Sequence, residues 1–221
     1  MSPAARAITR RTPNRTPVLA RAAAARTVLA DLAPGAEIHC LTYGQFSLLD
    51  VIAAVLDHTG PAQVDVSTWT AGGADLTHAE SFLRDGRITR LRFLVDRSFP
   101  TRQPGYCREL VKLFGDDAIR TTQTHAKFAA IAAGDWRIAI NTSMNMNKNT
   151  RLEYFQLADD PTLHGFLTAV VDDVFAERQA GPLTEVGMPT LGSLVDVAPA
   201  TSVAMGTVSA GGAITLGRAS I

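Results

Sequence analysis

Apolar and polar positions switch repeatedly between two periods along the middle of this chain. Residues 37–42 alternate as a half-buried strand does and stop at Tyr43-Gly44. Residues 46–56 carry apolar side chains on most faces, as a well-buried helix would, and a Gly-Pro turn at 60–61 closes them. Residues 64–69 alternate again and predict a strand, broken off at Gly72-Gly73. A short helix is expected over 75–83, then a turn at Asp85-Gly86. Residues 91–95 form a compact apolar run that suits a buried strand, and 107–114 read as a helix ending at Gly115. A short strand follows at 119–122. Two more, at 127–131 and 137–140, are joined by a Gly-Asp turn as a hairpin, and 154–157 adds another.

The last periodic segment is the clearest. Asp160 suits an N-cap and Pro161 the first helical position. Leu163, Phe166, Leu167, Val170, Val171 and Val174 then recur at helical spacing. Strands alternating with helices predict an α/β domain whose sheet is covered mostly on both faces.

Composition adds boundaries. Lys plus Arg equal Asp plus Glu at 21 each, so net charge names no partner. The distribution is uneven: Arg6, Arg10, Arg11, Arg15, Arg21 and Arg26 all precede the first acidic residue, Asp31. Residues 1–33 therefore read as a basic arm, either a solvated arm or a short surface helix, or a contact for phosphate backbones. An Arg-rich, acid-free segment also has the composition of a transit peptide. The main domain is expected over 34–178. Residues 179–221 are rich in Gly, Ala and Thr, with no aromatic after Phe175, and read as a tail or an arm that orders on a neighbouring subunit.

No apolar run is long enough to span a bilayer, and no apolar core of a secretory signal is present, so a cytoplasmic protein is expected. Cys40 and Cys107 are read as ordinary buried thiols of a reducing compartment. There is no zinc-type Cys/His spacing, no phosphate-binding Gly-rich loop and no dinucleotide fingerprint, so no metal and no cofactor are expected.

The chemistry concentrates downstream. In a strand, residues two apart share a face, so His125 and Lys127 would project together. A histidine beside an ammonium suits an anionic substrate: the lysine stabilises phosphoryl oxygens, and the imidazole attacks phosphorus or moves a proton. Ser143 and Asn145 repeat the spacing with a hydroxyl and an amide, both able to donate to phosphate oxygens. Glu153 adds a carboxylate able to orient an imidazole.

The pattern His-x-Lys, then Ser-x-Asn, then Glu at the start of a further strand resembles the phospholipase D superfamily, best over 124–157. The wording of 142–153 is similar to a branch of these proteins common in phages and prophages. The resemblance implies a layered α/β/α sandwich with a central mixed sheet. It also implies that His125 forms a covalent phosphohistidine, that Lys127, Ser143 and Asn145 hold the non-bridging oxygens, that Glu153 bonds an imidazole, and that no metal takes part. The chain departs from the family twice. The Asp expected after four intervening residues beyond the His-x-Lys triplet is Ala132, and the nearest carboxylate is Asp135. Only one motif is present where the chemistry uses two histidines, which implies a homodimer with the site on its two-fold axis.

A metal-independent phosphodiesterase of nuclease type, with nucleic acid as its phosphodiester partner, is the leading expectation. A catalytically weak or inactive scaffold that binds nucleic acid or assembles in a phage particle is the alternative, favoured by Ala132. A phospholipase or phosphatidyltransferase is the third. Other residues carry plainer expectations. His39 is expected to pack in the core, His58 and His78 to lie near helix ends, and His164 to be solvated. Met144 and Met146 are expected to pack behind the site. Trp69 is left open between core and site, and Trp136 is expected to pack rather than to stack on a base.

Overall fold

The computed structural model describes residues 6–11, 14–19, 25–147 and 151–181. The strands are β1 (Arg6–Arg11), β2 (Asn14–Leu19), β3 (Glu37–Thr42), β4 (Ala62–Thr68), β5 (Ile88–Asp96), β6 (Ile119–Thr122), β7 (Lys127–Ala133), β8 (Trp136–Thr142) and β9 (Glu153–Asp159). The helices are α1 (Ala25–Val28), α2 (Leu48–Thr59), α3 (Gly73–Arg84), α4 (Phe99–Arg102), α5 (Pro104–Phe114) and α6 (Pro161–Glu177). The strands form one sheet in the order β2-β1-β3-β9-β8-β7-β4-β5-β6. β4, β5 and β6 run parallel and every other neighbouring pair is antiparallel, so the sheet is mixed. The predicted α/β class holds: seven strands from β3 to β6 form the body of the sheet, and the β1–β2 hairpin extends its β3 edge.

The period-2 pattern sorts side chains between two cores. Ile38, Cys40, Val64, Val66, Phe93, Ile131, Ile138, Ile140, Phe155 and Leu157 face α2, α3 and α5, and build the larger one. Leu94, Phe128, Ala130 and Ala139 face the opposite way, under Leu167, Val171 and Val174 of α6. A sheet buried on both faces needs apolar residues at successive positions, which explains the continuous runs of β5 and β7. The two cysteines are free and buried, as expected, and burial pushes the Cys40 thiol up to about 12.

Helix α6 is fastened by ions as well as by packing. Asp65, buried in β4, takes both oxygens to Arg92 of β5, from Nε and Nη2 at 2.7 Å each. Arg92 Nη1 reaches Asp172 of α6, also at 2.7 Å. Burial pulls the Arg92 guanidinium towards neutrality. The bonds to Asp65 and Asp172 outweigh it and hold the group protonated beyond its ordinary range.

Local signals explain where helices start. Ser47 and Asp50 form a reciprocal capping box at α2: Ser47 N–H donates to Asp50 Oδ2 at 2.8 Å, and Asp50 N–H donates to Ser47 Oγ at 3.4 Å. Ser47 is fully buried, so Ser47→Ala leaves the Asp50 N–H without its cap. It is expected to cost about 1 kcal/mol of stability. Urea denaturation checks this, and an unchanged midpoint would show that the cap contributes nothing.

Four expectations are corrected. Residues 6–11 and 14–19 are strands hydrogen-bonded to the sheet through β3, where composition suggested a solvated arm or a surface helix. Composition reports the solubility of a segment, while Ile8, Thr9, Thr16 and Val18 supply the β-branched positions that a strand uses. His39 is not packed in the core. Its side chain is 26% exposed and bridges Glu37 (2.8 Å) and Tyr154 (2.6 Å) on the sheet face that α6 leaves open. Strand alternation puts Ile38 and Cys40 inward and His39 outward. Phe166 shares the helical spacing of α6 but is 66% exposed. His164 is half-buried near Arg137, and burial pulls its imidazole towards the neutral form. The expected C-terminal tail lies, apart from 179–181, outside the described residues.

Candidate active site

One end of the sheet collects the polar residues. The C-terminal ends of β4, β5, β6 and β8 meet the N-terminal ends of β7 and β9 there, as the pairing of Lys127 with Thr142 and of Thr42 with Glu153 shows. Crevices beyond the carboxyl ends of parallel strands are common sites for ligands, because the sheet stops and its loops diverge.

His125 stands just before β7 and is exposed. Its backbone is held from several directions. The buried carboxylate of Asp96, at the end of β5, accepts from Thr124 N–H at 3.2 Å and from Ser98 N–H at 2.9 Å. Ser67 Oγ donates to Ala126 carbonyl at 2.9 Å, and Ala126 N–H donates to Thr124 Oγ1 at 3.1 Å. The predicted His125–Lys127 pair is present. Lys127 Nζ lies 3.2 Å from Nδ1 and 3.3 Å from Nε2 of the imidazole, and donates to the His125 carbonyl at 3.0 Å. Burial pulls the Lys127 ammonium below the ordinary lysine range, and the negative charge of Glu153 partly restores it.

Ser143 and Glu153 are brought together on the same side. Ser143 Oγ donates to Glu153 Oε2 and accepts from Tyr154 N–H at 3.0 Å. Ser143 N–H bonds the Tyr154 carbonyl at 2.9 Å, which continues the β8–β9 ladder past the strand ends. Within one subunit, Glu153 bonds this hydroxyl.

Asn145 sits deeper. Its Oδ1 accepts from Trp69 N–H at 3.2 Å and Thr68 Oγ1 at 3.4 Å, while its carbonyl accepts from Leu48 N–H at the start of α2. The Trp69 N–H can only donate, so the amide oxygen must face it and the amide nitrogen turns elsewhere. The 145–147 loop is pinned by Gly72 N–H to Met146 carbonyl at 2.8 Å. A Cβ at Gly72 would meet Asn147 Cβ at 3.3 Å, so a side chain there would press this loop away. Met144 and Met146 are buried behind the loop, as expected.

Two residues outside the motif complete the surroundings. The Trp69 ring meets the His125 ring at 5.5 Å between centroids, with the planes inclined at 62°. Arg102 of α4 covers the Trp69 ring at 3.5 Å and donates through Nη2 to the Trp69 carbonyl at 2.9 Å. Pattern left Trp69 ambiguous and said nothing of Arg102, since neither residue shares a local spacing with His125. Trp136 packs against the main core, as expected.

Beside this cluster runs an open groove of about 590 Å³, lined by His125, Lys127, Ser143, Phe166, Leu167 and Val170 among others. Its histidine is His125; its far wall is the first half of α6. Ala132 pairs with Gln63 and Arg137 near the far end of β7. At strand rise it lies about 17 Å from Lys127, out of contact with the imidazole. Among the described residues no cluster of metal-ligating side chains occurs, and no helix is long and apolar enough to cross a membrane.

No protein-family model matches this sequence, and no curated protein matches it. Solved structures do show similarity. NucT from Helicobacter pylori is 14% identical, with 65% of this chain and 99% of that one covered and a TM-score of 0.45. Nuc from Salmonella typhimurium, a phospholipase D family member, is 12% identical, with 59% and 88% covered and a TM-score of 0.39. Phosphatidylserine synthase from Haemophilus influenzae is 12% identical, with 67% and 40% covered and a TM-score of 0.43.

Proposed function

We propose that this chain is a metal-independent phosphodiesterase acting on nucleic acid through a phosphohistidine at His125. The observation that carries the reading is the meeting of an exposed imidazole, an ammonium and a carboxylate-bonded hydroxyl at the mouth of one groove. A ring nitrogen of His125 attacks phosphorus, so a P–N bond forms as the P–O bond to the leaving group breaks. Lys127 and Ser143 bind the non-bridging oxygens, and the outward amide nitrogen of Asn145 can donate to them. Ser143 has one hydroxyl proton, which Glu153 accepts in the free site, so the hydroxyl turns from Glu153 to the phosphate when the substrate binds. Water then attacks phosphorus, the P–N bond breaks, and the imidazole is restored.

The leaving oxygen needs a proton in the first step. His125 is the histidine of the groove, so the donor is proposed to be its copy in a second subunit across a two-fold axis. Nucleic acid is favoured by charge. The β1–β2 hairpin places Arg6, Arg10, Arg11 and Arg15 at one edge of the sheet, and a phosphate backbone is attracted without sequence reading. The apolar wall of the groove suits the substituent that a phosphodiester carries beside its phosphorus. Loss of the Asp at position 132 leaves the catalytic contacts untouched, because that slot lies at the far end of β7.

The protein is expected to cleave a labelled oligonucleotide in a chelating buffer. An acid quench during turnover should trap acid-labile phosphate on His125. Cleavage that requires a divalent cation, or turnover without an adduct, would contradict the reading. Head-group release from vesicles in place of oligonucleotide cleavage would select the lipid-directed alternative.

A further inference from the structure

A nucleophilic imidazole must be held in one orientation, and the usual means is a carboxylate bonded to its second nitrogen. Here Glu153 bonds Ser143. Lys127 restrains His125 but does not choose between its nitrogens, since Nζ is almost equally far from both at 3.2 and 3.3 Å. The lysine stem is also flexible. Within one subunit, the group that meets the ring from another element is Trp69.

We propose that Trp69 is the positioning residue for His125, a rigid wall clamped by Asn145 and Arg102 that aims the imidazole into the groove. The clamp acts on both the backbone and the ring of Trp69. Its N–H donates to Asn145, its carbonyl accepts from Arg102, and one ring face is covered by the guanidinium at 3.5 Å. Arg102 is itself anchored, with Nε donating to Ser98 Oγ at 2.8 Å, and Ser98 bonds Asp96. The other oxygen of Asp96 holds Thr124 N–H, next to His125. The buried Asp96 carboxylate therefore connects the backbone of His125 with the wall that its side chain meets. An inclined ring pair at 5.5 Å is a favourable aromatic arrangement, and a stacked arginine stiffens it further.

The proposal rests on His125 as the nucleophile. It gives the motif residue Asn145 a second role, in which its oxygen holds Trp69 while its nitrogen faces away. It also gives a role to Arg102, the cation that covers the Trp69 ring.

The test uses the full chain. Trp69→Ala is expected to lower kcat for oligonucleotide cleavage about 10- to 100-fold with KM nearly unchanged, the scale of a misaligned reacting group. Trp69→Phe, which keeps an aromatic wall, should recover most of the rate. Arg102→Ala should reduce kcat in the same sense but less, and serves if Trp69→Ala does not fold. The 15N resonances of His125 should show one tautomer in the unmodified protein and an average of two in Trp69→Ala. A rise in KM alone, a Phe variant as slow as the Ala variant, or an unchanged tautomer would overturn the proposal. If the unmodified protein forms no phosphohistidine, the nucleophile reading fails, and the resonances still report whether Trp69 orients the ring.

Discussion

His125→Ala removes turnover: cleavage of oligonucleotide falls by about four orders of magnitude or more, to the background rate, and the acid-labile adduct disappears. The size follows from the bonds made and broken. The proposed intermediate contains a P–N bond to this imidazole, so no residual fraction of the covalent route survives its loss. The side chain is exposed and contacts Lys127 and the Trp69 ring, so its removal leaves no cavity in either core. The variant should keep the far-UV spectrum and the denaturation midpoint of the unmodified protein, which separates chemistry from folding. Binding should also survive. Lys127 and Ser143 remain, and attraction to phosphate depends on cations spread over the surface. A His125→Ala protein that still cleaves at a tenth of the original rate would end the phosphohistidine proposal.

Arg92→Met is expected to destabilise the fold by about 3–5 kcal/mol, the usual cost of leaving one partner of a buried ion pair alone. Asp65 has 4% of its side chain exposed, and both of its oxygens are taken by Arg92. Without the guanidinium, its charge sits between β5 and β7 with only Arg90 at 3.9 Å as a weak substitute. Asp172 is 58% exposed and returns to water at little cost. The double variant Asp65→Asn/Arg92→Met should recover much of the loss, because the uncompensated charge is gone. Urea denaturation measures both. A loss below about 1 kcal/mol in the single variant would show that Asp65 finds water or another cation. The same variant reaches the site, because Asp172 ties α6 to the sheet and α6 supplies Phe166, Leu167 and Val170 to the groove.

Much of this architecture is legible before any coordinates. The alternating and the compact apolar runs became strands β3 to β9, and the longer apolar periods became α2, α3, α5 and α6, the last with its cap at Asp160. What escaped was short or ambiguous. Helix α4 spans only Phe99–Arg102, too few residues for a period to register. The β1–β2 hairpin was hidden because its arginines dominated the composition. Phe166 satisfied the helical spacing but faces out, since a stripe of that width extends beyond the part of α6 that the sheet covers.

Of the site residues, His125 with Lys127 and Ser143 with Asn145 were indicated by their spacing two apart, and Glu153 by its place at the start of the next strand. The sequence by itself determined those neighbours, the segments that alternate, and the side chains that share a face of a strand, because period and cap are local properties of the backbone. The tertiary structure alone decided that Glu153 turns to Ser143 and that Asn145 reaches back to the end of β4. It also decided that Trp69, Arg102 and Asp96 surround an imidazole more than twenty residues downstream. Strand order in the sheet sets those contacts, and strand order is a choice among long-range pairings that no local pattern encodes.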